Sequence, residues 1–408
     1  MSRDANCRFC DGHTESVLDL GVQALTGRFP RSTEEEVPRG RLDLHRCPSC
    51  HLVQLADNPP LDQMYGAGYG YRSGLNSSMV THLQRKVARL ESKVELAPGD
   101  VVLDIGSNDA TLLRSYKARG VERVGIDPVG ANYRENYADG LTLVPEFFSE
   151  SAWSNAGVPV KPRLITSIAM FYDLERPAEF AKDIAAVLAT DGIWHFEQSY
   201  LPAMLQKVSY DTICHEHLEY YSLATVEAIL TSAGLQVIDV EMNDANGGSF
   251  AVTAAHRGGP RAIEAPHLDW LRRQETQLHL DRPEPHIEFA RRVAEHRIRL
   301  RSLIGDLRAA GARVAAYGAS TKGNVILQYC AFGPDDLDFI IEVNEDKFGC
   351  FTPGTGIPIV SEAEGFARDP DYLLVLPWHF RSGILSREVD YLRRGGRLIF
   401  PLPEIDIA

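Results

Sequence analysis

The run "VVLDIGSND" (101–109) constrains the possible folds of this chain more than any other stretch. It is a short apolar segment that ends in a glycine turn, and "ATLLRSY" after it reads as a helix start. Strand–turn–helix is the unit from which doubly wound α/β sheets are built. A second apolar segment, "RVGIDP", follows and carries Asp127 at its end, so the sequence predicts a nucleotide-type α/β sheet here.

The glycine turn indicates which ligand this sheet binds. It lacks the full GxGxxG pattern, because Asn108 and Asp109 stand where a dinucleotide site needs glycine. Asp104 would repel a phosphate but attract an ammonium or sulfonium group, and Asp127 suits ribose hydroxyls. We therefore predict S-adenosylmethionine as the cofactor. The residues that we expect to bind it are Asp104, Gly106, Asn108, Asp109, Asp127, Pro128 and Tyr71.

The alternation of strands and helices continues along the chain. Residues 162–174, 193–200 and 247–256 read as further strands, the first running into a site loop, with helical segments between them. Residues 262–310 are charged and periodic and read as helices. "ARVAAYGASTKGNVILQYC" (312–330) then repeats the strand–turn–helix pattern, which predicts a second Rossmann-like unit.

Four of the seven cysteines form two CxxC pairs, "CRFC" and "CPSC". Two such turns can point four thiolates at one zinc ion, and a site with four protein ligands is structural rather than catalytic. In a cytosolic chain, disulfides are the weaker interpretation. The predicted zinc ligands are Cys7, Cys10, Cys47 and Cys50.

These patterns together predict an α/β protein of three domains. Residues 1–75 would form a small zinc-binding domain, and residues 76–261 a central doubly wound, Rossmann-like domain that binds S-adenosylmethionine. Residues 262–408 would form a second Rossmann-like α/β domain.

The run "YDTICHEHLEYYS" (210–222) concentrates titratable groups just after the strand at 193–200. That placement puts it at the carboxyl edge of the sheet, where ligands bind. Acid–base chemistry, a metal site and a solvated loop are all open interpretations. If the run were a strand, His215 and His217 would share one face. A catalytic zinc is disfavoured, because no third ligand and no HExxH helix spacing are present.

Lys322 begins the first helix of the second Rossmann-like unit, where backbone N–H groups and the helix dipole favour an anion. The functional interpretation is that Lys322 binds a phosphate or diphosphate group of a ligand. The alternative is that Lys322 is an ordinary solvated residue at a helix end. The residues that we expect to contact the substrate are Ser320, Lys322, Asn324 and Tyr172.

The net charge and the hydropathy of the chain limit the classes of partner and the cellular location that we expect. The net charge of −14 argues against nucleic acid as the main partner. The start "MSRDANCRFC" has no apolar signal region, and no apolar run approaches the roughly 20 residues of a membrane helix. We expect a cytoplasmic protein without membrane contact, either a monomer or a small homo-oligomer.

The chain resembles the sugar C-methyltransferases of deoxysugar biosynthesis, which act on nucleotide-linked 4-keto sugars. The resemblance covers nearly the whole chain and rests on the paired CxxC, "LDIGSNDATLL", "AMFYDLERP", "DTICHEHLEYYS", "NGGSF", "YGASTKGN" and "TPGTGIPI". It implies an N-terminal zinc domain, a central S-adenosylmethionine domain and a C-terminal domain that helps to hold the nucleotide sugar, with dTDP as the expected nucleotide. It also implies that His217 is the base, with Glu216 beside it.

Two positions depart from the family pattern. Ala110 replaces the last glycine of the usual GSNDG turn, which one methyl group permits if the residue has helical φ and ψ. Cys214 stands where many relatives have tyrosine, and a thiol is a poor donor to an enolate. Tyr71, Tyr220, Tyr221 or a water are the alternative donors.

Methylation of carbon requires a carbanion equivalent, which a base can form next to a ketone. We expect His217 to be this base, with His215 as the second choice and Glu216 and Tyr221 assisting, and we favour C3 over C5. Competing hypotheses are a sugar O- or N-methyltransferase, a keto-sugar epimerase that uses the same base, and a non-enzymatic zinc scaffold. A tRNA methyltransferase is disfavoured by the acidic charge.

Overall fold

The computed structural model describes residues 5–58, 72–138 and 140–408. The strands, in chain order, are β1 (Glu15–Ala24), β2 (Arg39–Arg46), β3 (Val53–Leu55), β4 (Val101–Ile105), β5 (Glu122–Ile126), β6 (Leu141–Val144), β7 (Leu164–Ile168), β8 (Ile193–Ser199), β9 (Glu219–Tyr220), β10 (Leu235–Asn243), β11 (Ser249–His256), β12 (Val314–Tyr317), β13 (Ile340–Glu342), β14 (Ile359–Ser361), β15 (Tyr372–Val375), β16 (Arg397–Phe400) and β17 (Asp406–Ile407). The α-helices are α1 (Ser77–Val94), α2 (Glu150–Asn155), α3 (Pro177–Val187), α4 (Leu201–Lys207), α5 (Leu223–Ser232), α6 (Ala265–Leu278), α7 (Glu284–Ala309), α8 (Thr321–Tyr329), α9 (Glu362–Ala367), α10 (Arg381–Arg387) and α11 (Val389–Arg393).

The central sheet has seven strands in the order β10-β11-β8-β7-β4-β5-β6. Strands β4 to β8 run parallel, and β10 and β11 are antiparallel to their neighbours. All five residues of β4 are buried, as expected of a parallel strand covered on both faces. The strand order reverses between β4 and β7, which opens a crevice at their carboxyl ends.

The C-terminal sheet has the order β14-β13-β12-β15-β16-β17 and is parallel except for β17. It repeats one hydrogen-bond arrangement of the central sheet, in which an acidic side chain accepts from a backbone N–H of a turn. The backbone N–H of Asn108 donates to Asp127 Oδ2 at 2.7 Å, and the backbone N–H of Ala319 donates to Glu342 Oε2 at 2.7 Å. In both units an acidic residue at or just after the end of the next strand fixes the turn after the first strand. The predicted α/β class with two Rossmann-like units is confirmed.

The N-terminal sheet has the order β1-β2-β3-β9 and is antiparallel. Its last strand comes from the segment that follows the two histidines, because Tyr220 pairs with Val53. Arg8 lies 3.6 Å from the Glu219 carboxylate, and both side chains are buried. The two regions therefore share one sheet edge, and the proposed division at residues 75/76 and 261/262 stays a prediction.

One local prediction is wrong. The segment "ATLLRSY" forms only a 3₁₀ turn at Leu113–Ser115, and it follows a turn in which Ala110 has φ +61°. The backbone of Ala110 thus lies in the left-handed region and not in the right-handed helical region. A residue with a Cβ is unfavourable in the left-handed region. The histidine run forms turns between residues 213 and 218, so His215 and His217 do not share a strand face.

Among the described residues, no helix combines the length and the apolar character that crossing a bilayer requires.

Candidate functional site

A cavity of about 390 Å³ lies at the carboxyl edge of the central sheet. Its described wall is strongly acidic, and it contains a single basic residue, Arg176. The acidic wall residues are Asp104, Asp127, Glu146, Asp173, Glu175, Glu179, Asp183 and Glu197. Such a wall favours a cationic ligand and disfavours the diphosphate of a dinucleotide.

Asp104 lies at the floor of this cavity and is 3% exposed. Its Oδ1 accepts a hydrogen bond of 2.6 Å from the Thr166 hydroxyl. Burial, together with the charge of Asp127, raises the pKa of Asp104 to about 7. A cation bound here would favour the ionised carboxylate, which fits the ammonium or sulfonium group of S-adenosylmethionine.

The other predicted cofactor residues divide into two groups. Gly106, Asn108, Asp127 and Pro128 line the cavity. Asp127 accepts from two backbone N–H groups, and burial raises its pKa. Asp109 is outside the cavity wall, since its carboxylate accepts from the Gly74 N–H at 2.9 Å and anchors the segment before α1. Tyr71 lies outside the described residues.

Gln198 is a cavity residue that the sequence analysis missed. It is 1% exposed, and neither atom of its side-chain amide has a hydrogen-bond partner. Beside it, Glu197 is held by His82 at 2.6 Å and by Lys86 at 2.7 Å, which lower its pKa to about 2 against the effect of burial. The unpaired Gln198 amide fits a ligand with both donors and acceptors, such as the amino acid end of S-adenosylmethionine.

His217 lies beyond this cavity, close to its wall. Its Nδ1 is 2.8 Å from the Thr212 carbonyl oxygen, so Nδ1 carries the proton and Nε2 is left as an acceptor. Burial, and then the charge of Lys322, lowers the pKa of His217 to about 3. The ring is partly exposed, and its centroid is 4.2 Å from that of Tyr172. Tyr172 directly precedes Asp173 of the cavity wall, so the imidazole and the cofactor cavity are neighbours.

Glu216 contacts the segment that follows β1, and Cys214 lies within hydrogen-bond reach of Glu216. Glu216 Oε2 accepts from the Thr26 hydroxyl at 3.4 Å, and burial raises its pKa. Cys214 is 1% exposed, and burial raises its pKa well above the usual value. The thiol is therefore protonated at neutral pH.

His215, the second choice for the base, and Tyr221, which was predicted to assist, both lie outside the wall of the cofactor cavity. His215 is fully buried, its Nε2 lies 3.2 Å from the Gly40 carbonyl of β2, and burial lowers its pKa to about 4. Tyr221 is fully buried in the core, where its ring stacks on Phe171 at 5.1 Å. Neither side chain lines the cofactor cavity.

Of the predicted substrate residues in the C-terminal domain, only Lys322 is placed beside His217. Its Nζ donates to the Asn246 carbonyl at 3.1 Å, and Asn246 is part of the cavity wall. Ser320 caps α8 by accepting from the Gly323 N–H. Asn324 is fully buried and donates to the Thr26 carbonyl at 2.7 Å, while its Oδ1 has no partner.

Three further groups surround Lys322 and were missed by the sequence analysis. Asp211 accepts from Trp378 Nε1 at 2.8 Å, and its Oδ1 is buried without a partner. His379 has an unpartnered Nδ1, and burial and Lys322 lower its pKa to about 3. Nothing local in the segment "LPWHF" (376–380) indicates that its tryptophan meets residue 211.

The four cysteines of the two CxxC pairs converge, with all four sulfur atoms within 4.8 Å of one another. Cys7 Sγ lies 3.4 Å from Cys50 Sγ, and Cys10 Sγ lies 3.5 Å from Cys47 Sγ. Four thiolates at 2.3 Å from a tetrahedral zinc would be about 3.8 Å apart, so the cluster fits a structural zinc ion.

Three known families match successive parts of the chain. Residues 7–65 match a zinc binding domain, residues 76–240 a methyltransferase domain, and residues 244–403 a C-methyltransferase C-terminal domain. The C-methyltransferase NovU of Streptomyces niveus is 30% identical over 408 residues, which cover 98% of this chain and 95% of that protein.

Solved structures show weaker likenesses. The mitomycin 7-O-methyltransferase MmcR is 16% identical, with 44% of this chain and 55% of that chain covered and a TM-score of 0.36. The glycopeptide N-methyltransferase MtfA, in complex with S-adenosylmethionine, is 12% identical, with 43% and 87% covered and a TM-score of 0.33. Likenesses of this size carry no weight for function.

Proposed function

Because the chain belongs to the S-adenosylmethionine-dependent C-methyltransferases, we propose that it methylates a carbon next to the ketone of a nucleotide-linked 4-keto-deoxysugar, with dTDP as the nucleotide and C3 as the preferred carbon. One observation carries the proposal. His217 is a neutral imidazole whose Nδ1 is fixed by the Thr212 carbonyl, which leaves Nε2 free to accept a proton beside the cofactor cavity.

The protein's own groups explain how the carbon becomes nucleophilic. His217 Nε2 takes a proton from the carbon next to the ketone, and the electrons of that C–H bond move into an enolate. Asp104, Asp127 and Gln198 would hold S-adenosylmethionine, which supplies an electrophilic methyl group when bound. A histidine base would also serve an O- or N-methyltransferase, so the preference for carbon is supported by the C-methyltransferase relative and by the match of residues 244–403 to a C-methyltransferase C-terminal domain.

The nucleotide-sugar substrate and the three-domain division rest on the resemblance of the motif blocks. "DTICHEHLEYYS" and "YGASTKGN" meet in space, because α8 packs against the turn Tyr210–Thr212. Two sequence-distant blocks of the family pattern thus form one site, between the cofactor cavity and the C-terminal sheet.

The test is an incubation of the protein with S-adenosylmethionine and a dTDP-4-keto-deoxysugar in heavy water, followed by mass spectrometry. We expect one added methyl group on carbon together with S-adenosylhomocysteine. We expect His217→Ala to lower the rate by roughly 10²- to 10⁴-fold. The matched control is His256→Ala. His256 is also partly exposed and also lies within hydrogen-bond distance of a backbone carbonyl, that of Leu188, so this variant should keep the wild-type rate.

Other outcomes of the same experiment would contradict the proposal. Deuterium uptake without methyl transfer would indicate a keto-sugar epimerase. A methyl group on oxygen or nitrogen would indicate the corresponding methyltransferase. A His217→Ala variant with the wild-type rate would remove His217 from the mechanism.

A further inference from the structure

An enolate needs a hydrogen-bond donor for its oxygen, and the side chains near His217 can be examined one by one. The Tyr220 hydroxyl donates to the His217 carbonyl at 3.0 Å, and Tyr221 is fully buried in the core. Cys214 is a weak donor, and it lies within hydrogen-bond reach of Glu216. None of these three is placed to serve a substrate ketone.

Lys322 is placed differently. Its Nζ lies 3.1 Å from the carbonyl oxygen of Asn246, a residue of the cofactor cavity wall, which uses one of its three protons. Lys322 lies in the first turn of α8, and α8 packs against the turn Tyr210–Thr212, whose Thr212 carbonyl fixes His217. The ammonium charge is accordingly felt by His217, and it lowers the pKa of that imidazole.

The charge balance around Lys322 distinguishes a ketone from a diphosphate. Asp211 is fully buried, is held by Trp378 at 2.8 Å and interacts electrostatically with Lys322. His217 and His379 are neutral, and burial raises the pKa of Asp211 while Lys322 lowers it. The described groups that act on the ammonium therefore include a carboxyl group and no second cation. A diphosphate dianion would find no surplus positive charge here, whereas a neutral ketone that becomes an enolate would gain a donor as its negative charge develops.

We propose, on the basis of the proposed function, that Lys322 donates a hydrogen bond to the ketone oxygen of the substrate and stabilises the enolate that His217 forms. In this step the α-carbon loses a proton to His217 Nε2, the C–H electron pair becomes the C=C bond, and the carbonyl π electrons move to oxygen. Lys322 keeps its proton. It is thus a catalytic residue of the proton-transfer step rather than a phosphate anchor.

The experiment separates the two roles of Lys322 without methyl transfer. Exchange of the α-proton of a dTDP-4-keto-deoxysugar is followed in heavy water in the presence of S-adenosylhomocysteine, and binding of dTDP is measured by calorimetry. We expect Lys322→Met to slow exchange by about 100-fold and to leave the Kd of dTDP unchanged. Lys322→Gln, which keeps a neutral donor, should fall between Lys322→Met and the wild type.

Lys347→Met is the matched control, because Lys347 is also a half-buried lysine that donates to one backbone carbonyl, that of Ala319. It should keep the wild-type exchange rate. Binding of S-adenosylhomocysteine by each variant reports whether it is folded.

Two results would overturn the assignment of Lys322 alone. One is exchange at the wild-type rate in Lys322→Met at saturating substrate. The other is a Kd for dTDP that rises about tenfold or more, as expected for loss of a charge-assisted bond to phosphate. A wild-type protein with neither exchange nor methyl transfer would instead overturn the proposed function and this assignment together.

Discussion

The lowered pKa of His217 predicts how the reaction depends on pH. A base must be deprotonated to act, and the pKa of His217 is about 3 because of burial and the charge of Lys322. The acidic limb of the rate of α-proton exchange that belongs to this histidine should therefore lie well below pH 6.5. Lys322→Met removes the positive charge, so the limb should move to higher pH while burial still keeps it below 6.5.

The pH profile of exchange at saturating substrate checks this point in both proteins. Among the described residues, the groups that act on His217 are the Lys322 charge, the Thr212 carbonyl and the Tyr172 ring. A limb that stays in place in Lys322→Met would mean that the ammonium group does not face the base.

Ala110 permits a second prediction, for stability. It is fully buried with φ +61°, and a left-handed conformation costs an L-residue about 1–2 kcal/mol. Ala110→Gly relieves that cost, but it removes a buried methyl worth about 0.8 kcal/mol and adds chain entropy to the unfolded state. We expect the free energy of unfolding in urea to change by less than about 0.5 kcal/mol.

The matched control for Ala110 is Ala181→Gly. Ala181 is also fully buried but lies in α3, so the substitution loses the methyl and adds about 1 kcal/mol of helix cost without relieving strain. It should destabilise by more than 1 kcal/mol. Equal losses at the two positions would show that Ala110 is not strained.

Among the elements, the turn that carries Asn246 couples the two halves of the site. Gly247 has φ +91°, and a Cβ there would lie 3.1 Å from Cη2 of Trp378, which holds Asp211. Gly247→Ala should therefore displace the indole and lower the stability by about 1–3 kcal/mol, with a slower α-proton exchange. Gly258→Ala, at φ +73° with nothing within 4 Å, carries only the backbone cost.

Comparison of the melting temperatures and exchange rates of these two glycine variants isolates the contact with Trp378. The Gly247 variant should lose more of both. If the two variants behave alike, the indole is not pressed against the turn.

The elements that the sequence predicts well have an unbroken local pattern. The apolar run "VVLDI" is β4, and the strands predicted at 162–174 and 193–200 contain β7 and β8. Within the histidine run, Glu219 and Tyr220 form β9, which pairs with β3 of the N-terminal sheet, and the local sequence pattern does not encode that distant pairing.

The candidate site was predictable only where its residues share a motif. His217, Asp104 and Asp127 stand in recognisable runs, and each lies in or beside the cavity region. Asp211 and Trp378 meet across 167 residues of chain, and no local periodicity encodes such a contact. Gln198 was missed because its unpaired amide is a property of burial and not of its neighbours in sequence.

In the molecule as a whole, the zinc cluster and the proposed base are mechanically connected. Arg8 lies between the first two cysteine ligands and pairs with Glu219 of β9, and Tyr220 of the same strand pairs with Val53 of β3. His217 precedes this strand by two residues. Loss of the cysteine cluster would release Arg8 and β3, both of which contact β9, so the cluster supports the position of His217.

Removal of zinc should therefore abolish α-proton exchange although the metal takes no part in the chemistry. We expect Cys10→Ser to lose about one zinc per chain and to expose the amides of residues 212–222 to hydrogen exchange. S-adenosylhomocysteine should still bind, because its predicted cavity is built by β4, β5, β7 and β8 and by the loops that follow them. Cys350→Ala, a buried cysteine outside the cluster, should keep both zinc and activity. Native protection of residues 212–222 in a zinc-free protein would show instead that the central sheet alone holds the base, and that Arg8 and β9 follow its position rather than set it.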